Sequence, residues 1–64
     1  MSIHLMQLNE ILDKYYNYKT PAIKEFKVLF NNGTTISLRW KDEAGTRSIK
    51  AIRSKDDWNL IIIS

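Results

Sequence analysis

The chain has 64 residues, 44% of them hydrophobic, with a net charge of +3, a single histidine and no cysteine. Disulfides, cysteine-based zinc sites and imidazole clusters are thereby excluded. A chain this short buries only about 60% of its unfolded surface, so one thin-cored domain over residues 1–64 is expected, supported by self-association or a very regular sheet.

Residues 2–18 predict an amphipathic helix. Leu5, Leu8, Leu12 and Tyr15 recur at helical spacing, and Ile11 and Tyr16 widen the stripe. Ser2 is the candidate N-cap, with His4 and Leu5 in the first turn. No basic n-region precedes this segment, and Gln7, Asn9 and Glu10 interrupt any apolar run. Neither a signal peptide nor a membrane span is expected, and a cytoplasmic setting follows as the expectation. The helix should stop before Pro21, which disfavours a helical Thr20. Thr20-Pro21 is also a helix-start signal, but an extended link to Glu25 is the preferred reading.

From Phe26 to Ser54 three alternating runs are separated by two glycine-closed turns, the pattern of an antiparallel meander. Phe26, Val28 and Phe30 are assigned to one face, opposite Ile36, Leu38 and Trp40 of the next strand. A loop Asn31-Asn32-Gly33 pairs Val28 with Ile36, Phe26 with Leu38 and Glu25 with Arg39. A second loop, Asp42-Glu43-Ala44-Gly45, pairs Leu38 with Ile49 and Ile36 with Ala51, and sets Trp40 in the core. Lys55-Asp56-Asp57 then turns the chain into a fourth strand, Trp58–Ser64. The fold class is therefore α+β: an N-terminal amphipathic helix packed on a four-stranded antiparallel meander, in the order α-β-β-β-β.

Functional signals are uneven. His4 has no nucleophile near it by spacing, the acid pairs Asp42-Glu43 and Asp56-Asp57 lie in turns, and both glycines have turn duties. No enzyme activity, cofactor, metal or small-molecule substrate is expected. Leu60 to Ile63 are aliphatic without alternation, so both faces of the last strand want cover. One helix covers one face. The leading expectation is a small interaction protein, homo-oligomeric or docking on a larger protein, with Ile52, Leu60, Ile61, Ile62 and Ile63 as the contact set. The many Asn, Lys, Ile and Tyr residues in so short a chain suggest a viral or mobile-element accessory protein.

The alternative is nucleic-acid binding. Arg39 to Lys55 holds six bases against two acids. Lys27, Arg39, Lys41, Arg47, Lys50, Arg53 and Lys55 are the candidate contacts, with four of them (Lys27, Arg39, Lys41 and Lys50) facing away from the core among small hydroxyls. No exposed aromatic is expected on that outer face to stack a base. The stretch Phe26-x-Val28-x-Phe30-Asn-Asn-Gly33-x-x-Ile36-x-Leu38-x-Trp40 resembles the first hairpin of the Sm-like family, over under a quarter of the chain. That resemblance would imply a bent five-stranded barrel and RNA binding as rings. Leu38 stands where the family has a glycine, its second motif has no match, and no site residue is carried over.

Overall fold

The first helix shows how little of an apolar stripe a small sheet can cover. In the computed structural model, which describes residues 3–64, α1 spans Leu5–Tyr16. Its buried face is Ile11 and Leu12, with Leu8, Tyr15 and Tyr16 partly buried beside them. That set is one contiguous stripe of helical period. Leu5, expected in the stripe, is 71% exposed and its neighbour Met6 75%, while Ile3 just before the helix packs against the core. The proposed cap at Ser2 lies outside the described residues. His4 occupies the N-cap position with extended backbone and no side-chain bond, and its carbonyl accepts from the Leu8 N–H at 3.0 Å.

The helix ends before proline has any say. Asn17 and Tyr18 both take left-handed backbone, and the Tyr18 N–H reaches back to the Asp13 carbonyl at 2.8 Å. This is the six-to-one closure of a Schellman-type cap, with Asn in the place glycine usually holds. Residues 20–23 then carry no helical turn and no strand.

Four strands follow: β1 Lys24–Asn31, β2 Thr35–Asp42, β3 Gly45–Ser54 and β4 Asp57–Ile62. They form one antiparallel sheet in the order β1-β2-β3-β4. The sheet is open, so it is not the closed barrel that the Sm-like resemblance implies. The β2–β3 register is as expected: Leu38 pairs with Ile49, Ile36 with Ala51, Arg39 with Ser48 and Ser37 with Lys50. Ile36, Leu38, Trp40, Ile49 and Ala51 are fully buried and meet Ile11 and Leu12 from the helix. A one-residue slip would have exposed all five, which is why this register is strongly specified.

The β1–β2 register departs from expectation. The loop is Asn32 to Thr34, and Asn31 pairs with Ile36 and Phe30 with Ser37. The Asn32 carboxamide oxygen accepts from the Thr34 and Thr35 N–H groups at 3.0 and 2.7 Å, closing the loop with a side chain. Gly33 inside it has φ 91°, the left-handed region open to glycine. A register shift then falls between Val28 and Phe30, and a second between Lys24 and Lys27. Each leaves a β1 residue without an opposite number, as bulges do. Val28 consequently pairs with Leu38 rather than Ile36, and Phe30 turns to the outer face with Ser37. Glu25, with φ 51°, sits in the second irregularity and pairs by charge with Lys41 at 2.9 Å rather than with Arg39.

The helix-face assignment has a direct test. Ile11→Ala removes a fully buried side chain and should cost about 2–5 kcal/mol, most of the roughly 3–5 kcal/mol a domain this small commands. Leu5→Ser should change stability by less than about 0.5 kcal/mol. Urea titration of the two variants checks both, and a large loss for Leu5→Ser would reverse the assignment.

Candidate interaction surface

Two surfaces carry the residues that the sequence singles out, and a polar chain at one end of the sheet holds them in place. The chain starts at Trp40. Its indole Nε1–H donates to the Tyr16 hydroxyl at 2.7 Å, and that hydroxyl donates to Asp42 Oδ2 at 2.8 Å. Asp42 Oδ2 also accepts from Arg47 Nε at 2.9 Å, and Oδ1 accepts from the Ala44 N–H at 2.8 Å. The Asp42 side chain is only 5% exposed. A carboxylate this enclosed needs charge-assisted donors, and it has them.

These bonds fix the protonation states. The Tyr16 and Arg47 donors hold the Asp42 carboxyl below its ordinary range. Burial pushes the Tyr16 phenol above its own, with the Asp42 charge adding to that rise. An ionised acid with its oxygens occupied and a phenol kept protonated make a structural clamp; neither group is poised as base or nucleophile. The sequence alone places Asp42 in a turn and Tyr16 at the margin of the helical stripe, with nothing to join them. The signal available was Tyr16 within the helical stripe and Arg47 opposite Trp40, two polar side chains with core-facing registers.

The first surface is the free edge of β4. Ile49 pairs with Ile62, Lys50 with Ile61, Ala51 with Leu60 and Ile52 with Asn59. Leu60 and Ile62 therefore share the helix side with Ile49 and Ala51, whereas Ile52, Ile61 and Ile63 lie on the outer side. Leu60 and Ile52 are half-buried, but Ile61, Ile62 and Ile63 are 50%, 67% and 58% exposed. On the helix side, an open groove bounded by Lys14, Tyr15, Tyr16, Arg47, Leu60 and Ile62 leaves Ile62 uncovered. Beyond that groove, Lys14 ties the helix to Asp57 at 2.7 Å, a pair that is itself well exposed. Leu60 to Ile63 are thus gathered at the β4 edge but divided between two faces, whereas Ile52 lies on the interior strand β3, paired with both neighbours.

The second surface is the outer face of β1 to β3. Lys27 lies opposite Arg39, and Ser37 lies between Phe30 and Lys50. Lys41 is on the same side, engaged with Glu25. Arg47 and Arg53 are not there. Arg47 faces the helix in the Asp42 clamp, and Arg53 faces the same way, its guanidinium 5.1 Å from the Trp58 ring. Lys55 sits in the β3–β4 turn with φ 55°. Of seven candidate nucleic-acid contacts, four share a face. That face also carries an aromatic that sequence reasoning had put in the core: Phe30, 43% exposed.

Among the described residues, no three His, Asp or Glu side chains converge as metal ligands, and no helix is long and apolar enough to cross a membrane.

The clamp predicts a pH profile with two limits. Asp42, Asp57 and Glu25 all have carboxyls lowered by hydrogen-bonded donors. Their folded values lie below the unfolded ones, so the stability they contribute is present above about pH 4 and is lost as pH falls through the folded values. The raised Tyr16 phenol has the opposite sign: its contribution is present below about pH 10 and lost as pH climbs through the folded value. Asp42→Asn should flatten the acid limb of a stability–pH curve, and Tyr16→Phe should cost about 1–2 kcal/mol by leaving Trp40 Nε1 without an acceptor. Chemical denaturation of both variants from acid to alkaline pH measures this. No family model, no curated protein and no solved structure matches the chain, so its role is argued from this geometry.

Proposed function

We propose that this chain is a small non-enzymatic interaction protein whose contact element is the apolar edge strand β4, with a copy of itself or a larger protein as partner. The observation that carries the reading is the exposure of three consecutive isoleucines, Ile61 to Ile63, on an unprotected edge. Natural edges are guarded by lysine, proline, a bulge or a covering loop. Trp58 to Ser64 contains no charge and no proline. An edge left open with isoleucine on both faces is an aggregation hazard unless something pairs with it, and pairing is how strand-addition interfaces work.

Ile62→Lys and Ile63→Lys place guards on the edge at exposed positions, so the fold should tolerate them. Solution mass from low micromolar to near-millimolar concentration should exceed the monomer for the natural chain and fall to the monomer for the double variant. A monomer at every concentration whose Leu60 and Ile62 amides resist hydrogen exchange would mean that the chain covers its own edge, and the reading would be lost.

A second reading has its own observation. Phe30 beside Ser37, with Lys27, Arg39 and Lys50 on the same face, supplies the stacking partner that a basic sheet needs to hold single-stranded nucleic acid. Arg39→Ala with Lys50→Ala should then weaken binding of a mixed-sequence single strand and reduce its salt slope by about 1–2. Phe30→Ala should weaken it with the salt slope unchanged. Undetectable binding by the natural chain at low salt ends this reading.

A further inference from the structure

Resting on the edge-strand reading, we propose that the occupant of the β4 edge is a second copy of this chain, its β4 running antiparallel to the first across a two-fold axis at Ile61. The ladder itself selects that register. The Ile63 N–H donates to the Ser48 carbonyl at 2.8 Å, so residue 63 points its backbone groups inward to β3. Antiparallel pairs alternate between bonded and non-bonded positions. Ile61 and Asn59 therefore point inward as well, and Trp58, Leu60 and Ile62 point their N–H and C=O groups to the free edge. Trp58 is already taken: its N–H donates to its neighbour's Asp57 Oδ1 at 2.8 Å. Beyond Ile62, the Ser64 N–H donates inward to the Ser48 carbonyl at 3.2 Å. The open donors at the centre of the edge are those of Leu60 and Ile62.

A two-fold at Ile61 uses those groups and no others. It sets Leu60 opposite the other copy's Ile62, and the reverse, giving about four N–H···O bonds. A two-fold at Leu60 or at Asn59 would need the occupied Trp58 N–H, and one at Ile63 would need the inward-turned Ser64.

Side chains agree with the backbone. In the Ile61 register, Ile61 meets Ile61 on the outer face and Leu60 meets Ile62 on the helix face, so aliphatic side chains are covered on both faces at once. A helix laid on either face would cover only one; a strand in the plane of the sheet covers both. Charge permits the pairing too. A self-paired strand meets its own charges across the axis, and Trp58 to Ser64 has none. The nearest like charges on the outer face, Lys50 and its mate, lie three strand spacings apart, roughly 14 Å, beyond the screening length of about 8 Å at physiological salt. One strand pair is a small interface, so the dimer should form in the micromolar range and above rather than the nanomolar.

Because the chain has no cysteine, a single introduced thiol reports one position. In a non-bonded antiparallel pair, side chains at the axis come close enough for a disulfide. Ile61→Cys should cross-link to a dimer under mild oxidation at high protein concentration, and Lys50→Cys should not. In the natural chain the Leu60 and Ile62 amides should gain protection from hydrogen exchange as concentration rises. Equal cross-linking by both thiols would reveal random collision and overturn the register. A monomer with no cross-link and with fast-exchanging Leu60 and Ile62 amides at every concentration would overturn self-pairing but leave the open edge for a larger partner. Slow exchange of those amides in a monomer would overturn the edge reading itself.

Discussion

A buried tryptophan with a proton to place is the constraint on which this fold turns. Trp40 is fully buried, and a buried indole N–H without an acceptor costs on the order of 1–3 kcal/mol, much of what a domain this size has to spare. The Tyr16 hydroxyl accepts it, which puts the last turn of α1 against β2. That hydroxyl must then place its own proton, and Asp42 takes it. The Asp42 charge is satisfied by Arg47 across the hairpin and by the Ala44 N–H inside the turn. One donor's requirement thus ties helix end, strand register and turn into a single unit. Rings reinforce it: Tyr15 meets Trp40 edge-on at 5.3 Å and Phe26 lies stacked at 6.5 Å.

The other tryptophan has no such support. Trp58 Nε1 is buried and has no acceptor among the described residues. Its ring carries the Arg53 guanidinium, and the turn beside it is tied to the helix only by the exposed Lys14–Asp57 pair. Exposed pairs of that kind contribute little. The sheet is therefore locked by an enclosed clamp at the β2–β3 turn, and at the β3–β4 turn it is held by packing and by exposed bonds, among them Arg53 Nε donating to the Lys55 carbonyl at 3.2 Å. Five of the fully buried side chains lie on β2 and β3, and β4, like β1, is paired on one side only.

How much of this was legible follows from where the determining contacts lie. The β2–β3 hairpin could be read because the expected loop Asp42 to Gly45 and the observed one, Glu43-Ala44 between the paired Asp42 and Gly45, give the same register, which also buries every alternate apolar residue; local and global preferences agree. The β1–β2 hairpin misled because Phe26, Val28 and Phe30 alternate without a break, and nothing in that run marks a bulge. The bulge comes from the loop. Once Asn32 closes it, Phe30 falls opposite Ser37, and only an extra residue at Leu29 lets Val28 return to the core. The clamp escaped notice because polar residues in turns and at helix ends read as solvated until the partner element is placed. The helix showed one wide stripe, and which of its residues reach the core, Ile11 and Leu12 rather than Leu5, depends on how the helix is seated on the sheet. The exposed β4 edge was legible in outline, since four aliphatics in a row exceed what one helix can cover, but its division between two faces needed the register.

The register also relates the two candidate surfaces to each other. A two-fold that pairs β4 with β4 and sets Ile61 against Ile61 must run perpendicular to the sheet, so both helices fall on one side and both outer faces on the other. The row Phe30–Ser37–Lys50 would then continue through Ile61 and the other copy's Ile61 to that copy's Lys50, with Phe30 at each far edge, whereas the two Lys27–Arg39 rows would lie diagonally on either side of the axis. Self-pairing at β4 consumes none of the four outer-face cations, because none of them lies on β4. Edge pairing and a charged-face ligand are therefore not rivals for the same groups. The first would double the length of the surface available to the second, and affinity for an extended anionic chain would rise with dimerisation as two weak sites came to act on one strand.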